Sequence, residues 1–387
     1  MTSRTRLIVL LISAPVIAFA VIGGFLGNAL AQPETYTRLQ VFQDVVSLVM
    51  RNYVENVDSD RIMQGAMRGL AESLDPDSAY LKRDEVKALQ SGQKLPGDIG
   101  LELTRQYYLR VICARDGSPA AKAGLRAGDF VRVIDDAPTR EMSVFEGMRM
   151  LRGEPGTKVR LTVIRSNAAE PHVVEITRER LSPPEISGRM QGAGIGYLRV
   201  PGFTAASAEQ MRAKVAELRK QGAARLIVDV RDCAVGDLTD GIAAARLFVS
   251  SGTLAIREGR NEPREPVNAI AGDGSITLPT VVLVNAGTSG PAELFTAALA
   301  GNKRAEVVGE HTIGRATRQK LVPLPDGTAM LLSNVWFLGP NGEAITEKGL
   351  TPNVEVEEPD VDFGTPPPVA DPLLLKAIER VGNKAIE

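Results

Sequence analysis

The chain has 387 residues, 44% of them hydrophobic and 24% charged, with a formal net charge of −2, which allows two or three domains. The near-neutral balance excludes the basic face that nucleic-acid binding needs. Two cysteines (Cys113, Cys233) and two histidines exclude a disulfide framework and a Cys/His zinc cluster. No glycine-rich phosphate loop opens a helix, so no cofactor or metal is expected.

Residues 1–31 read as an export segment. Arg4 and Arg6 precede an uncharged run, and Ala29-Leu30-Ala31 fits a signal-peptidase site with Gln32 as the new N-terminus. The stretch from residue 7 to 27 is also long enough to span a bilayer as an anchor. Signal peptide and anchor both stay open. Either places the rest outside the cytoplasm, in the periplasm or another part of the cell envelope.

Residues 32–92 read as a helical region. Apolar residues recur at helical spacing in LQVFQDVVSLVM (39–50), and again from Asp60 to Leu74 with Ile62, Met63, Ala66, Met67 and Leu70. The second helix stops at Asp75-Pro76, and Asp77 or Ser78 is expected to start another helical turn.

Residues 93–183 resemble a PDZ domain through GDIGLEL (97–103), GSPAAKAGLRAGDFVRVIDD (117–136) and MLRGEPGTKVRLTVIR (150–165). Phe130, Val131, Val133 and Ile134 suit a short buried strand. Ser143 suits the cap of a helix that ends at Gly153. Val159, Leu161 and Val163 alternate with polar residues as in a half-buried strand. The resemblance implies a groove that adds a peptide as an extra strand. Its carboxylate-binding amides would be those of Ile99, Gly100 and Leu101, and Val144 and Met148 would line it from the helix. Asp98 beside that loop is expected to repel a C-terminal carboxylate. A PDZ domain serving only as a rigid spacer is the plainer reading.

Residues 184–360 alternate strand and helix. Strands are expected at 194–200, 223–230, 280–284 and 306–309, and helices at 206–221, 238–249 and 291–300, which indicates α/β with parallel strands. Residues 361–387 read as a linker, GTPPPVADP, and a final helix. The segment TVVLVNAGTSGPAELFTAALAGNKRAEVVGEHTIGRATRQ (280–319), with KGLTPNVEVE (348–357) and LAESLDPDSAYL (70–81), resembles the carboxyl-terminal processing peptidases, or tail-specific proteases. That resemblance implies a crotonase-like spiral of ββα units with an inserted PDZ domain and an N-terminal helical region. In the family that region helps form dimers; a helical cap on the core is the alternative.

Family members use a Ser-Lys dyad. Where they read G-S/T-A-S-A-S-E, this chain has Gly287-Thr288-Ser289-Gly290-Pro291-Ala292-Glu293, which puts Gly290 in the nucleophile's place. Pro291 follows and lacks the amide that would help hold an oxyanion. Where they read T-x-G-K-G-x-x-Q, this chain has Thr312-Ile313-Gly314-Arg315-Ala316-Thr317-Arg318-Gln319. Gln319 keeps register, but Arg315 stays protonated and cannot act as a base. In VDVRDCAVG (228–236), Val235 replaces a glycine of the family's LDLRNNPGG-type stretch, and Asp77 replaces the His of its LDPHS-type turn. Gly290, Pro291 and Glu293 also suit a plain helix start.

The expected protein is therefore a noncatalytic homologue that binds extended peptides or polypeptide C-termini in the envelope. Its partners would include an active relative, in homo- or hetero-oligomers. Arg315 could then hold a ligand carboxylate. Alternatives are an active serine endopeptidase using Ser289, whose candidate bases Lys303 and Lys320 are out of register, a Cys233–His311 pair, and a purely structural dimer.

Overall fold

The computed structural model describes residues 33–92, 95–165, 170–192, 194–260, 262–365 and 368–383. The proposed export segment lies outside them. The chain divides into two compact units, residues 1–67 and 68–387.

The first unit contains the helix Pro33–Asn52 and the start of the helix Ser59–Glu72. Leu39, Phe42, Val45 and Leu48 recur at helical spacing on the first of these, yet all are exposed.

The second unit contains three sheets. Residues 75–81 depart from the helical expectation. The Asp75 carboxylate accepts from the amides of Asp77 and Ser78 at 2.8 and 2.7 Å and from the Ser78 hydroxyl at 2.7 Å. This local bonding competes with helix, and the chain leaves as the strand Ala79–Leu81. A helix follows only at Arg83–Gln90, where the Glu85 carboxylate accepts the Lys82 amide at 2.8 Å.

The strands Leu101–Gln106, Tyr108–Ala114, Phe130–Ile134, Lys158–Ile164 and His172–Thr177 form an antiparallel sheet in that order, with Ala137–Pro138 beside the third. Leu101–Gln106 is an edge strand. The core holds Ile99, Leu101, Leu103, Leu109, Val131, Val159, Leu161 and Val163. The expected alternation at 159–163 is present, each odd residue buried. Ser143 caps the helix Val144–Met150, its hydroxyl accepting the Glu146 amide at 3.0 Å. This helix stops short of Gly153.

The central sheet runs Val354–Glu355, Ala305–Gly309, Thr280–Val284, Arg225–Asp229, Ile195–Arg199 and Ser187–Met190. All pairings are parallel except the last. Strand side chains alternate between faces. Val282 and Val284 face the main core with the helices Ser207–Lys220, Leu238–Ala245 and Pro291–Gly301. Val281 and Leu283 face Leu373, Ala377 and Val381 of the final helix, Pro372–Gly382. Both faces are covered, as expected of parallel strands.

The third sheet was not foreseen. Ala79–Leu81, Thr253–Gly259, Glu262–Asn268, Thr317–Pro323 and Ala329–Leu338 form a five-stranded antiparallel sheet. Side chains of Glu262–Asn268 and Thr317–Pro323 are mostly exposed, and both strands contain proline. They lack the apolar alternation by which a strand is recognised in sequence.

Candidate functional site

Gly290 caps the helix Pro291–Gly301 with φ 59° and ψ −112°. Those angles are open to glycine and strained for other residues. A Cβ there would lie 3.4 Å from the Arg315 carbonyl oxygen and 3.7 Å from Leu238 Cδ2, ordinary contact distances. Space does not forbid a serine at 290; the chain simply presents no hydroxyl.

The carboxylate of Glu293, wholly buried, organises this turn. One oxygen accepts the amides of Gly290 at 2.9 Å and Arg315 at 2.8 Å. The other accepts the Thr312 hydroxyl at 2.5 Å and the Gly314 amide at 2.7 Å. Burial raises the Glu293 pKa, and these hydrogen bonds only partly offset it. The loop 312–315 is thereby held to the helix start.

Arg315 leaves that loop toward the turn 75–78. Its Nε and Nη2 donate to the two oxygens of Asp77 at 2.9 and 2.5 Å, and Nη1 reaches the Leu103 carbonyl oxygen at 3.3 Å. The Gln319 amide donates to the Asp77 carbonyl oxygen. Burial pulls the Arg315 pKa down, but the charge and hydrogen bonds of Asp77 outweigh it and the net shift is upward. The two departures from the family's pattern, at 77 and 315, meet as one bidentate pair. Arg315 therefore has an internal carboxylate, against the expectation that it would hold a ligand's.

Ser289, Gly290, Pro291, Arg315 and Gln319 all line one cleft of about 330 Å³, with Asp77, Glu102, Asp237, Thr239 and Arg318. Neither Lys303 nor Lys320 lines it, and both are exposed. Ser289 is 2% exposed and its amide donates to the Cys233 carbonyl oxygen at 2.9 Å. The Gly290 amide, which an attack by Ser289 would need, is held by Glu293.

Val235 has an ordinary φ; the left-handed backbone of this loop falls on Gly236, at 124°, where a Cβ would strike the Phe203 carbonyl oxygen. The loop is fixed from the next strand by Asn285, whose Oδ1 accepts the Asp232 and Gly287 amides at 2.9 and 3.0 Å.

Cys233 and His311 do not meet in the cleft. His311 is exposed and its Nε2 lies 2.6 Å from the Lys348 carbonyl oxygen. Cys113 and Cys233 are free and fully buried. Burial pushes the Cys233 thiol up to about 12 and Cys113 well above its usual value. Thiolate is the reactive form, so the native protein at pH 8 is expected to give no fast reaction with Ellman's reagent. Two equivalents should appear in guanidinium; a fast native equivalent would contradict this.

In the antiparallel unit, Ile99 and Leu101 are buried, while Val144 and Met148 are half-buried against the same core. The Gly100 amide donates to Asp98 Oδ1 at 2.9 Å, and Asp98 also pairs with Arg152 at 3.1 Å. Asp98 thus takes one of the amides expected for a ligand, beyond merely repelling a carboxylate.

The sheet order, the helix-capping turn and the two motif segments define an α/β peptidase core joined to a PDZ domain. Residues 194–356 match Peptidase family S41, residues 110–165 match the PDZ domain family, and residues 26–85 match the activating protease CtpB N-terminal domain. Ile99, Gly100 and Leu101 precede the matched PDZ stretch; Val144 and Met148 fall within it. The carboxyl-terminal-processing protease of Synechocystis is 31% identical over 303 residues, covering 76% of this chain and 70% of that protein. The carboxy-terminal-processing protease of Bartonella bacilliformis is 29% identical over 335 residues, covering 85% and 77%. A solved photosystem II D1 C-terminal processing protease superposes with a TM-score of 0.69 at 25% identity, covering 82% of this chain and 92% of that one. The chain belongs to the carboxyl-terminal processing protease family.

Proposed function

We propose that this chain is a catalytically silent family member that binds extended polypeptide and does not cut it. One observation carries the reading: the guanidinium of Arg315 occupies the base's place, bonded through its Nε–Nη2 edge to both oxygens of Asp77. A guanidinium so held neither accepts a proton nor leaves room for a group that could. Gly290 and Pro291 supply neither a hydroxyl nor the following amide. Binding is assigned to the groove between the edge strand Leu101–Gln106 and the helix Val144–Met150. Because Asp98 engages Gly100, internal extended segments are favoured over free C-termini.

Arg4 and Arg6 followed by an uncharged run support export to the cell envelope, as a cleaved or anchored chain. The exposed apolar face at Leu39, Phe42, Val45 and Leu48 favours self-association or pairing with an active relative. The test is a cleavage assay with casein and tailed peptides, alongside Ser289→Ala. No turnover, with peptide binding weakened by Val144→Asp, is expected. Cleavage that disappears in Ser289→Ala would replace this reading with that of an active peptidase.

A further inference from the structure

The outer face of the antiparallel sheet carries arginines with no acid beside them. Leu109 and Val131 point into the domain core, so by alternation Tyr108, Arg110, Phe130 and Arg132 point away from it. The Arg132 guanidinium lies 5.3 Å from the Tyr108 ring centre and that of Arg110 5.7 Å from Phe130. At the hairpin tip Tyr107 is 59% exposed, edge-on to Tyr108 at 5.0 Å, with Arg140 4.6 Å from its ring. Tyr107 holds φ 69°, a left-handed backbone that is uncommon for a bulky residue and marks a candidate functional position.

Several arginines elsewhere in the same domain pair with carboxylates: Arg105 with Glu72, Arg115 with Glu102, Arg152 with Asp98, Arg160 with Asp136, Arg165 with Asp129. Among the described residues Arg110, Arg132 and Arg140 have no such carboxylate. Arg110 Nη1 donates to Gln106 Oε1 at 3.0 Å, while its Nε is buried without a partner.

We propose that this face binds an extended acidic polypeptide segment, whose Asp and Glu carboxylates enter between the aromatic rings and meet the guanidinium edges. Contact with the rings positions the guanidiniums, and the N–H groups not engaged by Gln106 Oε1 and the Tyr108 hydroxyl remain to donate to carboxylates. The depth of the site selects the partner. A bilayer surface would touch the exposed tip at Tyr107 and Arg140 but not the half-buried Arg110 and Arg132 set back along the strands; a single extended chain, with every second side chain turned inward, reaches both. The face lies opposite the helix Val144–Met150, against whose Gly147 Leu109 packs. It is therefore separate from the proposed groove, and its failure would leave the groove untouched.

The test uses the full chain in detergent and a fluorescent peptide of about a dozen residues with glutamate at every second position, compared with its glutamine counterpart by anisotropy. The glutamate peptide should bind roughly tenfold or more tighter at low salt, with the advantage shrinking as salt rises. R110Q/R132Q/R140Q should remove that advantage. Should that triple variant fail to fold, the exposed-site change Arg140→Gln should still weaken binding about threefold. R212Q/K214Q/K376Q, which removes the same charge elsewhere, should leave it intact. Equal binding of both peptides, or equal loss in both triple variants, overturns the proposal. So does selective binding to phosphatidylglycerol vesicles without peptide binding, which would reassign the face to a lipid surface.

Discussion

Replacing Arg315 with methionine should destabilise the second unit by about 3–5 kcal/mol, because it leaves the Asp77 carboxylate buried and unpaired. The side chain of Asp77 is 11% exposed and that of Arg315 27%, so water can replace little of what is lost. Asp77→Asn should show a smaller loss, since an amide keeps one acceptor. The double change, Asp77→Asn with Arg315→Met, should recover part of the Arg315→Met deficit, giving a coupling energy of about 2 kcal/mol in urea unfolding. Arg315→Lys keeps the charge but loses the planar fork and the reach to the Leu103 carbonyl, so it should still cost about 1–2 kcal/mol. Additive single effects, with coupling below about 0.5 kcal/mol, would mean that the two residues are neighbours and not a unit. A gain of peptidase activity in Arg315→Lys alone would contradict the silent reading directly, since Gly290 would still lack a hydroxyl.

This pair also marks where the sequence could be read and where it could not. The central strand Thr280–Val284 falls at its expected bounds, because four consecutive apolar residues after a β-branched threonine, all buried, leave one solution. The helix Pro291–Gly301 was legible from local chemistry: a glycine cap, proline at the first position and glutamate at the third. Asp77 and Arg315 could each be recognised as departures from the family's pattern. Their contact spans 238 positions and no local rule predicts it. Two departures of opposite charge were the available signal. The edge strands Glu262–Asn268 and Thr317–Pro323 were missed because backbone pairing defines them and their side chains face water. The turn at 75–78 was misread because an aspartate side chain takes the amides that a helix start would leave open.

Glu293→Ala should be the more damaging change to the cleft, at roughly 4 kcal/mol or more, with the helix Pro291–Gly301 loosened at its start. Four donors converge on this carboxylate, and alanine would leave the amides of Gly290, Gly314 and Arg315 and the Thr312 hydroxyl without their acceptor. Each unsatisfied buried donor costs about 1–3 kcal/mol, less whatever water can enter the void. Glu293→Gln tests whether shape or acceptance matters. It fills the same volume but turns one oxygen into a donor facing other donors, so it should lose nearly as much as alanine. If glutamine were tolerated within about 1 kcal/mol, Glu293 would be a filler and not the acceptor that ties loop to helix. Thr312 extends the same argument: its hydroxyl donates to Glu293 and accepts the Leu350 amide at 2.8 Å. The loss at 293 should therefore reach the segment 345–350, and hydrogen exchange there should accelerate in Glu293→Ala. This framework has a structural role of its own. The carboxylate holds the helix start, and with it the shape of the cleft, whether or not any chemistry occurs beside it.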